Sequence, residues 1–327
     1  MPFSPIAGKP LLQLFAERIA AFGTCYNTRS RLAVMTSEGT DRPTRQLFET
    51  HQQFGVDSVD FFLQSALPLL DMETNPIQDS EGKMVTGPDG NGGVFRRLAE
   101  AGILKKWKEE GVEAICVIMV DNPLLDPLCP ALLTPIFEGI DVTAGAIERL
   151  SPQEQVGLFV EEEGKIRVVE YTELNPSLRE QKDNQGHLFF RWANISAFGC
   201  SVEFVERAAT LPLPLHAAKK TVNGKQVWKG EYFIFDTLLA ARTIRLVPLN
   251  RDRSFAPVKD PISFKAAQAA LQAKEKIRYT ELTGHSPEGP LELPATAWYP
   301  TEPFLKWIRT CPTRSGMVAY EGKLLPD

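Results

Sequence analysis

Ala114-Ile115-Cys116-Val117-Ile118-Met119-Val120-Asp121 is the most apolar run in the chain, and it stops on a carboxylate. It has the length of a single strand and is rich in β-branched side chains. Apolar throughout, it reads as a central parallel strand buried on both faces. Upstream, Leu32-Ala33-Val34-Met35-Thr36 reads as another buried strand, and residues 59–63 as a third that ends at Gln64. Between these runs the period changes. Residues 11–22 carry apolar side chains at 11, 12, 14, 15, 19 and 22, with Glu17 and Arg18 on the polar side, which is a helical spacing. A second helix is expected over 41–54, with Pro43 in its first turn, and a third over 94–110. Alternating strands and helices predict an α/β sheet with its ligand at the carboxyl ends of the strands.

Beyond residue 140 strands are expected at 142–147, 157–160, 166–171, 189–198 and 244–248. Helices are expected at 202–209, 233–241 and 262–278. Leu211-Pro212-Leu213-Pro214 reads as a stiff connector. The last fifty residues hold several prolines and little periodicity, so the division expected is 1–280 for the main domain and 281–327 for a small extension.

Composition narrows the function. At 327 residues, 43% apolar and 24% charged, the chain has ample material for a core. A net charge of −5 with no long basic run argues against broad nucleic-acid binding. No apolar stretch reaches membrane-spanning length, and the N-terminus lacks the features of a secretory signal. The five cysteines (Cys25, Cys116, Cys129, Cys200, Cys311) are scattered without a CxxC pair, which predicts reduced thiols in a cytoplasm. A histidine-rich metal site is not expected from four dispersed histidines.

The chemistry gathers around Gly87-Pro88-Asp89-Gly90-Asn91-Gly92-Gly93, which precedes an amphipathic helix. Glycines there let the backbone take positive φ and approach a base, ribose or phosphate without Cβ interference, at a helix N-terminus that favours anions. The same residues also make an ordinary turn. Asp121, at a strand's mouth, either caps the following turn or binds a hard cation; Mg²⁺ takes one or two carboxylates and shares a substrate's phosphates. Lys229 and Lys259 lie in structured stretches, where a lysine is ordinarily a solvated surface charge. Asn194, polar in an apolar strand, either bonds its own backbone or reads a ligand. Glu170 closes a strand as an edge carboxylate or an acceptor for hydroxyls.

These residues fall in blocks that occur in a fixed order: GKPLLQLFAERI from Gly8, Met35-Thr36-Ser37, FFLQSALP from Phe61, PDGNGG from Pro88, Val120-Asp121-Asn122, VVEYTE from Val168, Ala193-Asn194-Ile195, EYFIFD from Glu231 and FAPVK from Phe255. Together they resemble the eukaryotic-type UDP-N-acetylhexosamine pyrophosphorylases, within the wider UDP-sugar pyrophosphorylase group, over roughly residues 8–280. The resemblance implies a Rossmann-like nucleotide-diphosphosugar transferase fold. It also implies a uridylyltransferase reaction, UTP plus sugar-1-phosphate giving UDP-sugar plus pyrophosphate. By it, Gln64 and Gly90 lie against uracil and Asn91 against the sugar. Asp121 holds Mg²⁺ and the nucleotide phosphates, Gly157, Glu170 and Asn194 line the sugar pocket, and Lys229 and Lys259 contact phosphates. Asn91 in the glycine loop favours the N-acetylhexosamine branch. The alternatives are a UDP-glucose or broad UDP-sugar pyrophosphorylase, and an inactive nucleotide-sugar-binding relative. A monomer or weak oligomer, soluble and free of membrane or nucleic-acid partners, is expected.

One part of the family pattern is absent. Ahead of the block at Gly8 the family carries a strand and glycine-rich loop of the type LxGGxGTRLG, then a phosphate-binding lysine. A preorganised donor lost from such a loop costs about 3 kcal/mol of transition-state stabilisation. The missing strand belongs between residues 32–36 and 114–120, so these strands are expected either to have unpaired edges or to close on each other. A clipped start, a degenerate relative or a loop from a separate segment would each account for it, and the chain as written is expected to be a poor catalyst.

Overall fold

In the computed structural model the described residues are 2–310, apart from 172 and 223, together with the backbone of 316 and 317. The architecture is α/β, and the described strands form one six-stranded sheet and four two-stranded ones. Arg31–Thr36 and Ser58–Leu63 form a parallel pair in the register Arg31↔Ser58. The larger sheet has six strands, in the order Ile244–Pro248, Val142–Glu148, Trp192–Ser201, Leu158–Glu162, Lys165–Val169, with Ala114–Val117 also paired to Trp192–Ser201. The pairing of Ile244–Pro248 with Val142–Glu148 is parallel, and the other ladders of this sheet are antiparallel.

The reading of 114–120 as a central parallel strand is therefore corrected. Only Ala114–Val117 is strand, its partner is antiparallel, and Val120 is 45% exposed. Among the described residues its other edge has no partner, nor does the free edge of Arg31–Thr36. Both strands nevertheless pack on one apolar cluster, through Ala33 and Met35 on one side and Ile115 and Val117 on the other. The first of the two expected outcomes thus holds: the edges stay open and do not pair with each other.

Three helices also differ from expectation for local reasons. The second starts at Glu38, because Ser37 and Thr40 form a reciprocal capping box, so Pro43 lies inside it and not in its first turn. The third is two helices, Val94–Glu100 and Ile103–Glu109, broken where Gly102 takes φ +74. Residues 234–240 are a 3₁₀ helix. The long helix Pro261–Thr283 begins on an Asp260–Ser263 capping box and ends at Gly284 in the left-handed region. It runs past the expected boundary at 280, and its last turns (Tyr279, Leu282) share a small core with Leu291, Leu293, Ala297, Phe304 and Ile308. Cys311 lies outside the described residues.

Candidate functional site

Strand register places three of the expected residues at one end of the large sheet. Leu158 pairs with Ala193 and with Val169, so Gly157 and Glu170 both lie next to the level of Asn194. The Asn194 amide donates to Gly157 O at 2.8 Å. A Cβ on Gly157 would stand 2.8 Å from Val168 Cγ1 and 3.2 Å from Glu170 Oε1, so only glycine fits beside that carboxylate. Burial, and then the charge of Glu173, pushes the Glu170 carboxyl above its ordinary range, with His216 opposing. Asn194 Oδ1 accepts from Ser196 N at 2.9 Å, an Asx-type turn that holds Ser196 at φ +52. Of the two options for Asn194, its oxygen thus takes the backbone one.

The glycine loop has a neighbour that its local sequence does not reveal. Gly90 (φ +87) and Gly92 are glycines because another stretch of this chain crosses them. A Cβ on Gly90 would lie 2.3 Å from Tyr232 O, and one on Gly92 would lie 2.7 Å from Phe233 N. Tyr232 N donates to Asp89 O at 2.7 Å, and Gly92 N to Tyr232 O at 2.9 Å. The missing Cβ atoms make room for protein backbone on that face, which joins the loop to the segment 231–236. Asn91 strengthens the junction: its Oδ1 accepts from Ile234 N at 2.9 Å and its Nδ2 lies 3.4 Å from Met119 Sδ. Gln64 Nε2 donates to Gly90 O, tying in the end of the Ser58–Leu63 strand.

Asp121 follows Met119 closely, and its carboxylate does not cap a turn. It receives the Lys259 ammonium, while Val258 N donates to Asp121 O at 2.8 Å. The two lysines differ in freedom. The Lys259 side chain is 69% exposed, whereas Lys229 is mostly covered and bonded to Glu231 Oε1 at 2.7 Å. Among the described residues no group of three or more His, Cys, Asp or Glu is placed to hold a metal. One carboxylate of modest exposure suits a Mg²⁺ held mainly by phosphate oxygens and water.

Sequence reasoning missed a cluster beside Glu170. His216 Nε2 lies 2.9 Å from Asp236 Oδ2, its ring packs on Phe233 at 4.9 Å, and Phe233 stacks on Phe235 at 5.0 Å. Burial raises the Asp236 carboxyl, against the pull of His216. The signal available was Phe233-Ile234-Phe235-Asp236, two aromatics at alternating positions ending on an acid. Elsewhere, a surface hollow of about 510 Å³ between Leu104, Lys108, Glu206 and Ala209 shares no residue with these groups.

The sequence signature of the UTP–glucose-1-phosphate uridylyltransferase family matches residues 6–278. The chain belongs to this family. It is 32% identical over 278 residues to UDP-N-acetylglucosamine diphosphorylase 2 of Arabidopsis thaliana, covering 78% of this chain and 55% of that protein. It is 31% identical over 291 residues to UDP-N-acetylhexosamine pyrophosphorylase-like protein 1 of Homo sapiens, covering 81% of this chain and 57% of that one. The chain thus spans about half the length of these relatives. In fold it matches the uridine diphosphate N-acetylglucosamine pyrophosphorylase of Trypanosoma brucei with a TM-score of 0.75, at 24% identity over 99% of this chain and 75% of that one. A UDP-glucose pyrophosphorylase of Leishmania major matches less well, with a TM-score of 0.64 at 18% identity, over 89% and 66%. No helix among the described residues is long and apolar enough to cross a membrane.

Proposed function

We propose that this member of the uridylyltransferase family acts on UTP and N-acetylglucosamine-1-phosphate, giving UDP-N-acetylglucosamine and pyrophosphate. The observation that carries the reading is continuity. Gln64, Gly90 and Asn91 lead through Met119 to the Asp121–Lys259 pair, and through Ile234 and Asp236 to the sheet end where Gly157, Glu170 and Asn194 meet. These links support reading the groups assigned to base, phosphate and sugar as parts of one connected site.

The barrier is one of charge, because an anionic sugar phosphate must attack an anionic α-phosphate in line. Positioning and neutralisation supply the catalysis, and no protein nucleophile is needed. Asp121 would hold Mg²⁺, which would supply positive charge beside the phosphates when bound. The Lys259 ammonium pairs with Asp121, and its largely exposed side chain would be available to neutralise a phosphate bound beside that carboxylate. Lys229 holds the second phosphate position, and Glu170 accepts from sugar hydroxyls as the carboxylate. A reducing, cytoplasmic setting suits the four described cysteines, all of them free.

The test is pyrophosphate release from UTP and N-acetylglucosamine-1-phosphate with Mg²⁺, run beside glucose-1-phosphate. Preferential turnover of the N-acetylated substrate supports the proposal. Equal or better use of glucose-1-phosphate, or UDP-sugar binding with no turnover of either, overturns it.

A further inference from the structure

The loop that follows Asp121 presents three successive carbonyls to the interior of the protein, and each meets a cation. Arg18 Nη1 lies 3.4 Å from Pro123 O and donates to Leu125 O at 3.2 Å, and Lys274 Nζ donates to Leu124 O. Arg18 is 4% exposed. Burial, with Arg18 nearby, pulls the Lys274 ammonium down to about 7. Two cations are seldom kept together away from water without support. Here the support comes from the Asp126 carboxylate, whose charge favours both cations, and from the C-terminal segment. The Trp298 ring takes the Arg18 guanidinium at 4.6 Å and the Lys274 ammonium at 5.1 Å, a cation–π arrangement on both counts. Next to it, Tyr299 donates to Asp126 Oδ1, which also accepts from Leu128 N at 3.0 Å. On the opposite side, the buried Asn122 side chain donates to Ser254 O at 2.8 Å and accepts from Ala256 N at 3.1 Å, joining the loop to the segment that carries Lys259.

We propose that Arg18, Lys274, Trp298 and Tyr299 are positioning residues that set the Asp121 loop against the Lys259 segment, so that the C-terminal segment governs charge handling at the phosphate end of the site. None of the four touches the reacting groups; they act through the carbonyls of 123–125 and the Asp126 carboxylate. The consequence for catalysis rests on the proposed uridylyltransferase reading, while the brace itself does not.

The experiment has two arms. The first is hydrogen exchange in the ligand-free protein at the amides of Leu124, Leu125 and Val258, the last of which reports directly on the Asp121–Lys259 spacing. The second is the Mg²⁺ concentration for half-maximal binding of UDP-N-acetylglucosamine. Lys274→Met and Trp298→Leu are expected to lower Val258 protection and raise the Mg²⁺ requirement, each by about tenfold, with the central strand Trp192–Ser201 still protected. Lys274→Arg restores both, and Lys265→Met, on the exposed face of the same helix, changes neither. If a variant loses protection throughout, Trp298→Phe, which keeps a smaller ring, is the one to read: a shift confined to the loop and to the Mg²⁺ requirement supports the proposal. Unchanged Val258 exchange in folded variants overturns the brace. Altered exchange with an unchanged Mg²⁺ requirement overturns its role at the site. A wild-type protein that binds no UDP-sugar defeats the functional reading alone, leaving the exchange arm to decide the brace.

Discussion

The side chain of Asn122 donates to the carbonyl of Ser254 across 2.8 Å, bringing together two segments more than 130 residues apart in the chain. One segment carries Asp121 and the other Lys259, so this buried amide ties together the two stretches that form the ion pair.

Asp121→Asn keeps the shape of the side chain and removes its charge. Because the Asp121–Lys259 pair is largely exposed on the lysine side, little stability is at stake, about 1 kcal/mol or less. Turnover and Mg²⁺-dependent binding, by contrast, are expected to fall about a hundredfold. Denaturant unfolding set beside a Mg²⁺ titration separates the two effects.

Gly90→Ala and Gly92→Ala place a methyl group against the Tyr232–Phe233 backbone, which cannot yield as a flexible side chain would. Each is expected to cost roughly 2–4 kcal/mol. Gly93→Ala, whose Cβ would meet nothing closer than 3.7 Å, is expected to be nearly silent. Urea midpoints of the three variants check this ordering.

Glu275 offers a pH test. It is 2% exposed, its Oε2 has no hydrogen-bond partner, and burial pushes its carboxyl from 4.5 up to about 8. The folded chain keeps this proton through a window in which the unfolded chain releases it. Its contribution to stability is therefore present below pH 4.5 and is lost as pH rises toward 8. Glu275→Gln removes that loss. The variant is expected to gain on the wild type across this window, by on the order of 2 kcal/mol at its upper end.

Glu170 gives a second pH dependence, now of binding. Burial holds its carboxyl above the ordinary value, so the acid limb of UDP-N-acetylglucosamine affinity is expected above pH 4.5. Glu170→Gln should flatten that limb and weaken binding about tenfold. An acid limb that persists unchanged in the variant would assign it to another group, with Asp236 the next candidate.

Much of this was legible in the sequence where the signal is local. Strand and helix periods located most elements, and the ordered blocks around Asn91, Asp121, Glu170, Asn194 and Lys259 pointed to the family. What failed was whatever depends on an unseen neighbour. The run at 114–120 is apolar enough for a central strand, but with one edge unpaired only Ala114–Val117 stays in the ladder. Gly90 and Gly92 gave no sign in sequence that one face of the loop packs against the Tyr232–Phe233 backbone. His216 has no local mark, because its partners Asp236 and Phe233 reach it across a hairpin. Trp298 and Tyr299, in a stretch without periodicity, gain meaning only from Arg18, Lys274 and Asp126.

The most direct measurement is backbone amide mapping of the protein titrated with UDP-N-acetylglucosamine and Mg²⁺. Perturbation is expected at Gln64, Gly90, Asn91, Asp121, Gly157, Glu170, Asn194 and Lys259, with no response around Lys105, Lys108 and Glu206. Saturable binding that perturbs the second group and leaves the first untouched would contradict the assignment of the site.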